Sequence, residues 1–230
     1  KTATQIYRSV FYVDEDNMLT LITEEEAMDL ISEYLIYPLT ETLDLNTLAS
    51  MAGGELILRG VSEQVGVTHI CTDSREADGN TLFCAIRGER VDGHDYMAKA
   101  SELGCAAFLC ERIPAPLPAE ACAFIAVEDT VAALSALALS RREAEMQDLS
   151  IVAITGSVGK TTTKEMTAAV LSQGNTLFKK DGNYNSTIGL PMSMLEADDK
   201  SQCSVVEMGM SGLGEIDFMS RIARPRVACI

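Results

Sequence analysis

Basic residues are scarce in this chain: eighteen Lys and Arg stand against thirty-four Asp and Glu, a formal net charge of −16 over 230 residues. Such a balance repels a polyanion and no Lys/Arg stripe offsets it, so no nucleic-acid partner is expected. Any phosphate ligand then has to be held locally, by backbone N–H groups and a few placed cations. Long apolar runs are missing too. The longest, Val131 to Leu139, falls far short of the roughly 20 residues that span a bilayer, and Glu128, Asp129, Arg141 and Arg142 flank it. No basic segment leads into an apolar one at the start, so neither a secretory signal nor membrane insertion is expected. The chain opens on Lys1 rather than Met, which leaves its true N-terminus open. The seven cysteines are odd in number and form no C-x-x-C pair. Most sit in apolar runs, where a thiol behaves as a small hydrophobe. That pattern predicts reduced thiols in a cytoplasm, not a disulfide frame or a zinc site.

What is present is a globular composition, with 47% hydrophobic residues and no internal repeat or low-complexity tract. Residues 1–43 form a leader of unknown role. An alternating run from Ile6 to Val13 predicts a strand, and Thr23 with Glu26 makes a capping-box start for a helix carrying Ala27, Leu30, Ile31, Tyr34 and Leu35. Residues 44–148 read as an α/β domain. Leu45–Met51 is a short helix closed by Gly53 and Gly54, with strands at Val67–Cys71, Thr81–Ile86, Cys105–Cys110 and Ala123–Val127. A helix at Met97–Leu103 stops at Gly104. Pro114, Pro116 and Pro118 require a loop, and Asp129 or Thr130 caps a long helix to about Glu145. From residue 149 to 230 strands and helices alternate, as in a parallel sheet. The strands are Ile151–Thr155, Thr176–Lys179, Ser204–Glu207 and a buried one at Val227–Ile230, where the sequence stops. The helices are Lys160–Gln173 and Glu215–Ala223. The fold class is therefore α/β: a small α/β domain, then an incomplete P-loop parallel-sheet domain.

The strongest chemical signal is Thr155-Gly156-Ser157-Val158-Gly159-Lys160-Thr161-Thr162. An apolar strand, a glycine-bearing turn and a helix start converge there. Glycines let successive N–H groups point into one concavity, and the helix dipole adds partial positive charge. Lys160 reaches β- and γ-phosphates, and the Thr161 hydroxyl completes a Mg²⁺ octahedron. The strict G-x-x-x-x-G-K-[ST] spacing is not met, because Ile154 stands where the first glycine belongs. The plainer alternative is a glycine turn that merely starts a helix, but strand, spacing, lysine and hydroxyl all agree with a nucleoside triphosphate and magnesium.

This variant loop resembles that of the Mur ligase family. Gly182-Asn183-Tyr184-Asn185-Ser186-Thr187-Ile188-Gly189-Leu190-Pro191 is similar to the Asn-rich loop of the family branch that adds D-alanyl-D-alanine. So is Glu207-Met208-Gly209-Met210 with Gly214-Glu215-Ile216. Upstream, Thr72-Asp73-Ser74-Arg75 and Gly88-Glu89-Arg90-Val91-Asp92-Gly93-His94-Asp95 resemble the same branch's uridine-nucleotide domain. The resemblance runs from about Leu45 to Ile230 and leaves out residues 1–43. It implies an ATP-driven amide synthesis in cell-wall assembly, with UDP-N-acetylmuramoyl-tripeptide and D-alanyl-D-alanine as partners. The sequence does not settle the oligomeric state, and a monomer is the expectation. The resemblance implies catalytic roles for Lys160 and Glu207, a phosphate cradle of residues 156–162, and magnesium held by Thr161 and Glu207. It also implies substrate contacts at Ser74, Arg75, Asn183 and Asn185.

Plainer readings stand beside each role. Glu207 could simply be a charged residue ending a strand, and Asn183 and Asn185 could be turn residues. Thr162 either assists the phosphates or only starts the helix. Asp73, Ser74 and Arg75, taken without the resemblance, form a capped turn with a surface ion pair. With it, the Arg75 fork suits phosphate oxygens. Asp92, Gly93 and His94 raise the same question, and His69 in an apolar strand is structural. Two rival functions stay open: a sister ligase that adds another amino acid, and an inactive nucleotide-binding piece. The family's further metal and phosphate ligands, and its dipeptide-binding domain, are expected beyond Ile230.

Overall fold

The computed structural model describes residues 10–13, 19–22, 42–63, 65–88, 91–116, 122–180, 182, 184–197 and 200–230. The chain divides into two compact units, Lys1–Tyr37 and Pro38–Ile230. In the first, β1 (Val10–Val13) pairs antiparallel with β2 (Leu19–Ile22), Val10 opposite Ile22. β1 falls in the predicted alternating run, while the helix predicted behind Thr23 lies outside the described residues.

The second unit holds two larger sheets. Its first elements are β3 (Leu43–Asp44), α1 (Leu45–Ala52), β4 (Glu55–Arg59), β5 (Gly66–Val67), β6 (His69–Cys71) and β7 (Thr81–Cys84). A 3-10 turn (Gly93–Tyr96), α2 (Met97–Glu102), β8 (Ala107–Cys110), β9 (Cys122–Ala126) and α3 (Thr130–Ala144) follow. The five-stranded sheet runs β4-β9-β8-β7-β6, parallel except for β4, which pairs antiparallel with β9 at the edge. β7 and β8 are buried along their whole length, as parallel strands covered on both faces must be. Alternate residues serve opposite faces. Phe83, Phe108 and Phe124 pack together on one side, with ring centroids 6.3 and 5.7 Å apart. Leu82, Leu109 and Ile125 join the larger core on the other.

The second sheet is built from β10 (Ser150–Ile154), β11 (Leu177–Phe178), β12 (Cys203–Glu207) and β13 (Val227–Cys229), in the order β11-β12-β10-β13 and all parallel. Between these strands run α4 (Lys160–Leu171), α5 (Gly189–Glu196) and α6 (Glu215–Ala223). The parallel sheet predicted from strand–helix alternation is present, and the observed elements are a residue or two shorter than predicted at several ends. One expectation is corrected: β13 forms, but its side chains are exposed rather than buried. Among the described residues it pairs with β10.

α3 joins the two sheets mechanically. Asp129 caps it, accepting from the N–H groups of Val131 and Ala132 at 2.8 and 2.9 Å. At its far end Arg141 and Arg142 are almost wholly buried. Arg141 donates to the carbonyls of Leu195 and Ala197 at the end of α5. Arg142 donates to Ala223, the last residue of α6, at 3.3 Å and to Leu149 at 2.9 Å. Both cations therefore sit at helix C-termini, where orphan carbonyls and the dipole favour them.

Candidate functional site

The parallel register brings the chemistry together at one edge. Ile154, the last residue of β10, lies opposite Glu207, the last of β12. A loop leaving β10 and a side chain leaving β12 thus emerge side by side at the strands' C-terminal ends, where open parallel sheets bind ligands. Gly156 and Gly159 take φ values of +127° and +80°, a backbone that side chains with a Cβ rarely adopt. α4 starts at Lys160 with no side-chain cap on its N-terminus, so its first N–H groups are left for a ligand. Lys160 folds back over the loop, its Nζ donating to the Gly156 carbonyl at 3.0 Å. Ser157 and Val158 lie on the exposed crest, and Thr162 is exposed in the first turn of α4.

Glu207 is held at both oxygens. The Thr161 hydroxyl donates to Oε2 at 2.9 Å, and Asn185 Nδ2 donates to Oε1 at 2.9 Å. The Asn185 carbonyl in turn accepts from the Gly209 N–H at 2.7 Å. So Asn185, expected at the substrate, here fixes the carboxylate. Asn183 lies outside the described residues. A hydroxyl and a carboxylate side by side at a phosphate loop are hard oxygen donors. They fit Mg²⁺, which takes one or two protein oxygens and fills its octahedron with phosphate and water. Among the described residues no three His, Cys, Asp or Glu side chains converge, so the donor set is not that of an all-protein metal cage.

Behind Glu207 lies a small polar space lined by Lys164, Lys180, Gly182, Tyr184 and Ser193. Lys164 is buried, its Nζ 3.4 Å from the Lys180 carbonyl and 3.6 Å from Glu165. The motif's spacing gave no sign of Lys164 or Lys180. A lysine one turn past the phosphate loop reads as a solvated helix residue until the strand beside it is placed.

A second concavity, about 620 Å³, opens on the first sheet. Thr72, Ser74, Arg75, Phe83, Tyr96 and Lys99 line it, and Ile188 of the Asn-rich loop reaches it. Ser74 is buried. The Arg75 fork, however, is turned onto Asp73, whose Oδ1 also accepts from the Arg75 N–H at 2.9 Å. That ion pair holds the Asp73 carboxyl below its usual range. The next loop is tied internally as well. His94 Nδ1 donates to Asp92 at 2.6 Å while Nε2 accepts from the Glu111 N–H at 3.0 Å. Both ring nitrogens are thus engaged, which fixes the orientation of the imidazole. Burial resists ionisation of Asp92, but bonds from His94 and Arg112 outweigh it and hold its carboxyl far below the usual range. Asp92 caps the 3-10 turn. His69 is buried between Thr81 and Asp78, a structural place as predicted. Six of the seven cysteines are buried and Cys229 is exposed. Burial pushes the Cys105 thiol up to about 11 and Cys110 up to about 12, which makes them poor nucleophiles.

Residues 66–142 match the Mur ligase family, catalytic domain, and residues 154–230 match the Mur ligase middle domain. The chain is 43% identical over 170 residues to UDP-N-acetylmuramoyl-tripeptide–D-alanyl-D-alanine ligase of Bacillus subtilis (strain 168), a stretch covering 73% of this chain and 36% of that protein. A crystal structure of MurF from Acinetobacter baumannii superposes with a TM-score of 0.74 at 38% identity, covering 83% of this chain and 41% of that one. MurF ligase from Thermotoga maritima in complex with ADP gives 0.61 at 33% identity, covering 68% and 35%. The chain thus spans about two-fifths of the length of these relatives. Among the described residues no helix is long and apolar enough to cross a membrane.

Proposed function

The chain belongs to the Mur ligase family, and we propose that it carries the nucleotide-substrate domain (44–148) and part of the ATP-binding domain (149–230) of a ligase joining D-alanyl-D-alanine to UDP-N-acetylmuramoyl-tripeptide. The observation that carries this is the Glu207 carboxylate, fixed between Thr161 of the phosphate loop and Asn185 of the Asn-rich loop. It ties a nucleotide motif to the segment in which the chain most resembles the D-alanyl-D-alanine-adding branch. The ADP complex of the Thermotoga maritima relative supports ATP as the nucleotide. Buried, unreactive thiols fit a cytoplasmic enzyme.

In this reading the γ-phosphoryl group of ATP passes to the terminal carboxylate of the tripeptide, giving ADP and an acyl phosphate. The dipeptide amine attacks the acyl carbon, loses a proton, and inorganic phosphate leaves from the tetrahedral intermediate. Phosphoryl transfer of this kind depends on positioning and on charge neutralisation. The α4 N-terminus and the loop N–H groups hold the phosphates, and Lys160 exchanges the Gly156 carbonyl for a phosphate oxygen. Thr161 and Glu207 would hold Mg²⁺, which when bound neutralises charge on the β- and γ-oxygens. The 620 Å³ cleft, with Lys99, Arg75, Phe83 and Tyr96 on its wall, is the place offered to the uridine diphosphate.

The test is phosphate release by the complete protein with ATP and magnesium, given UDP-muramoyl-tripeptide and D-alanyl-D-alanine together and singly. Release only with both supports the ligase. Release with a different amine acceptor moves the protein to a sister ligase on the same fold. No release with any pair, despite ATP binding, leaves a nucleotide-binding module.

A further inference from the structure

Glu196 stands where a carboxylate is costly for three separate reasons. Its side chain is 6% exposed. It ends α5, beside the orphan carbonyls and the negative end of the helix dipole. Its Oε1 has no hydrogen-bond partner among the described residues. What holds it is Lys180, whose ammonium pairs with Oε2. A buried pair of this kind adds little stability over apolar packing, so its use has to be sought in orientation.

Lys180 makes a second contact: its Nζ lies 4.7 Å from the centroid of the Tyr184 ring, a cation–π distance. Tyr184 is closely seated on the start of α5, since a Cβ at Gly189 would lie only 2.8 Å from the Tyr184 Cα. The residue after Tyr184 is Asn185, which grips Glu207 Oε1, while Thr161 grips Oε2. A carboxylate held at both oxygens cannot turn. Release of Asn185 would leave it free to rotate about the Thr161 bond. The polar space between Lys180 and Glu207, lined also by Tyr184, puts these groups in one neighbourhood.

We propose that Lys180 and Glu196 are positioning residues: a buried ion pair that seats Tyr184 and Asn185 and so sets the Glu207 carboxylate for a divalent metal bound with the nucleotide. The inference rests on the reading of residues 156–162 and Glu207 as a nucleotide–metal site.

ADP binding to the chain, measured by titration calorimetry with Mg²⁺ and again with EDTA, tests it. The wild-type chain gains affinity when Mg²⁺ is present. Lys180→Met and Glu196→Gln each cut that gain about tenfold, the usual cost of losing an outer contact to a metal ligand, and leave the affinity in EDTA unchanged. The double variant Lys180→Met/Glu196→Leu replaces the pair with apolar side chains and melts at or above the wild-type temperature, yet still lacks the gain. An intact Mg²⁺ gain in the double variant overturns the clamp alone. Absence of any gain in the wild type overturns the nucleotide–metal reading and the clamp with it.

Discussion

Around the cleft of the first sheet the charged side chains hold one another, whereas at the C-terminal edge of the second sheet they face the place where a phosphate would sit. Arg75 is forked onto Asp73, and Asp92 takes His94, Arg112 and Arg87. Across the molecule Lys160 has a backbone carbonyl in reach and α4 has an uncapped N-terminus. The difference explains why residue type is a weak guide in one half and a strong one in the other. An Arg in a turn is as apt to close the turn as to meet a ligand, but a glycine loop with bare N–H groups has little to do except bind an anion.

The sharpest way to break this comparison is Lys160→Ala. If the second sheet's edge is built for a phosphate and Lys160 supplies its charge, phosphate release by the complete protein falls at least about 100-fold, the scale of losing one placed donor. The fold stays intact, because among the described residues the Lys160 ammonium bonds to the loop it would serve. Retained turnover would place the cation elsewhere.

The next test lies between the two halves. Arg141→Ala strips the hydrogen-bond cap from the Leu195 and Ala197 carbonyls and removes the Arg141–Glu145 contact. Uncapped buried groups predict a loss of about 3 kcal/mol in a denaturant-unfolding experiment. A single cooperative transition shifted as a whole means the sheets unfold together through α3. Two separated transitions mean that α3 is the seam.

The halves also differ in the sign of their pH response. Asp92 has a depressed pKa, so its stabilising share is present above the usual aspartate range and fades as pH falls through the folded value. Glu196 has its pKa raised to about 7, by burial first, against the pull of Lys180 and with a push from Glu76. Its share is present below the ordinary glutamate range and is lost as pH rises through about 7. Melting curves against pH check both. Asp92→Asn flattens the acid limb, and Glu196→Gln flattens the neutral one. The ionisation that sets the Lys180 pair thus carries a cost in stability, which is what an orienting contact, rather than a stabilising one, looks like.

Legibility in the sequence followed the same division. The phosphate loop could be read because strand, glycine turn, lysine and hydroxyl are contiguous, and Glu207 because it ends an apolar run. α5 is not in the sequence-based expectation, where Gly189 and Pro191 count as part of the Asn-rich loop. Yet Pro191 sits in the first turn, where its missing N–H has no partner to lose. β4 went unread because Glu55 and Arg59 bracket only three apolar residues, and its pairing with β9 joins segments far apart in sequence. The Glu207–Asn185 bond likewise needs two loops from different strands to meet. Glu196 carries no local mark at all, since a Glu ending a helix is unremarkable until its burial is known.

The smallest effect expected is the one that decides what the first sheet's cleft is for. Arg75 is largely exposed and its bond to Asp73 is a surface pair, and such pairs contribute little to stability. Arg75→Ala therefore leaves the melting temperature unchanged in either reading. If the Asp73 pair only closes the turn, uridine diphosphate affinity is unchanged too, and the cleft holds its ligand through Lys99, backbone and shape. If Arg75 swings from Asp73 to a phosphate, affinity falls several-fold and the loss shrinks at high salt, because a fork on a phosphate is screened by counterions. Asp73→Asn then separates the two. It frees the fork and raises affinity where Arg75 binds phosphate, and has no effect where it does not. Where Arg75 does bind phosphate, the two halves are less different than their resting pairs suggest: each stores its cation on a protein oxygen, Arg75 on a carboxylate and Lys160 on a carbonyl, until an anion displaces it.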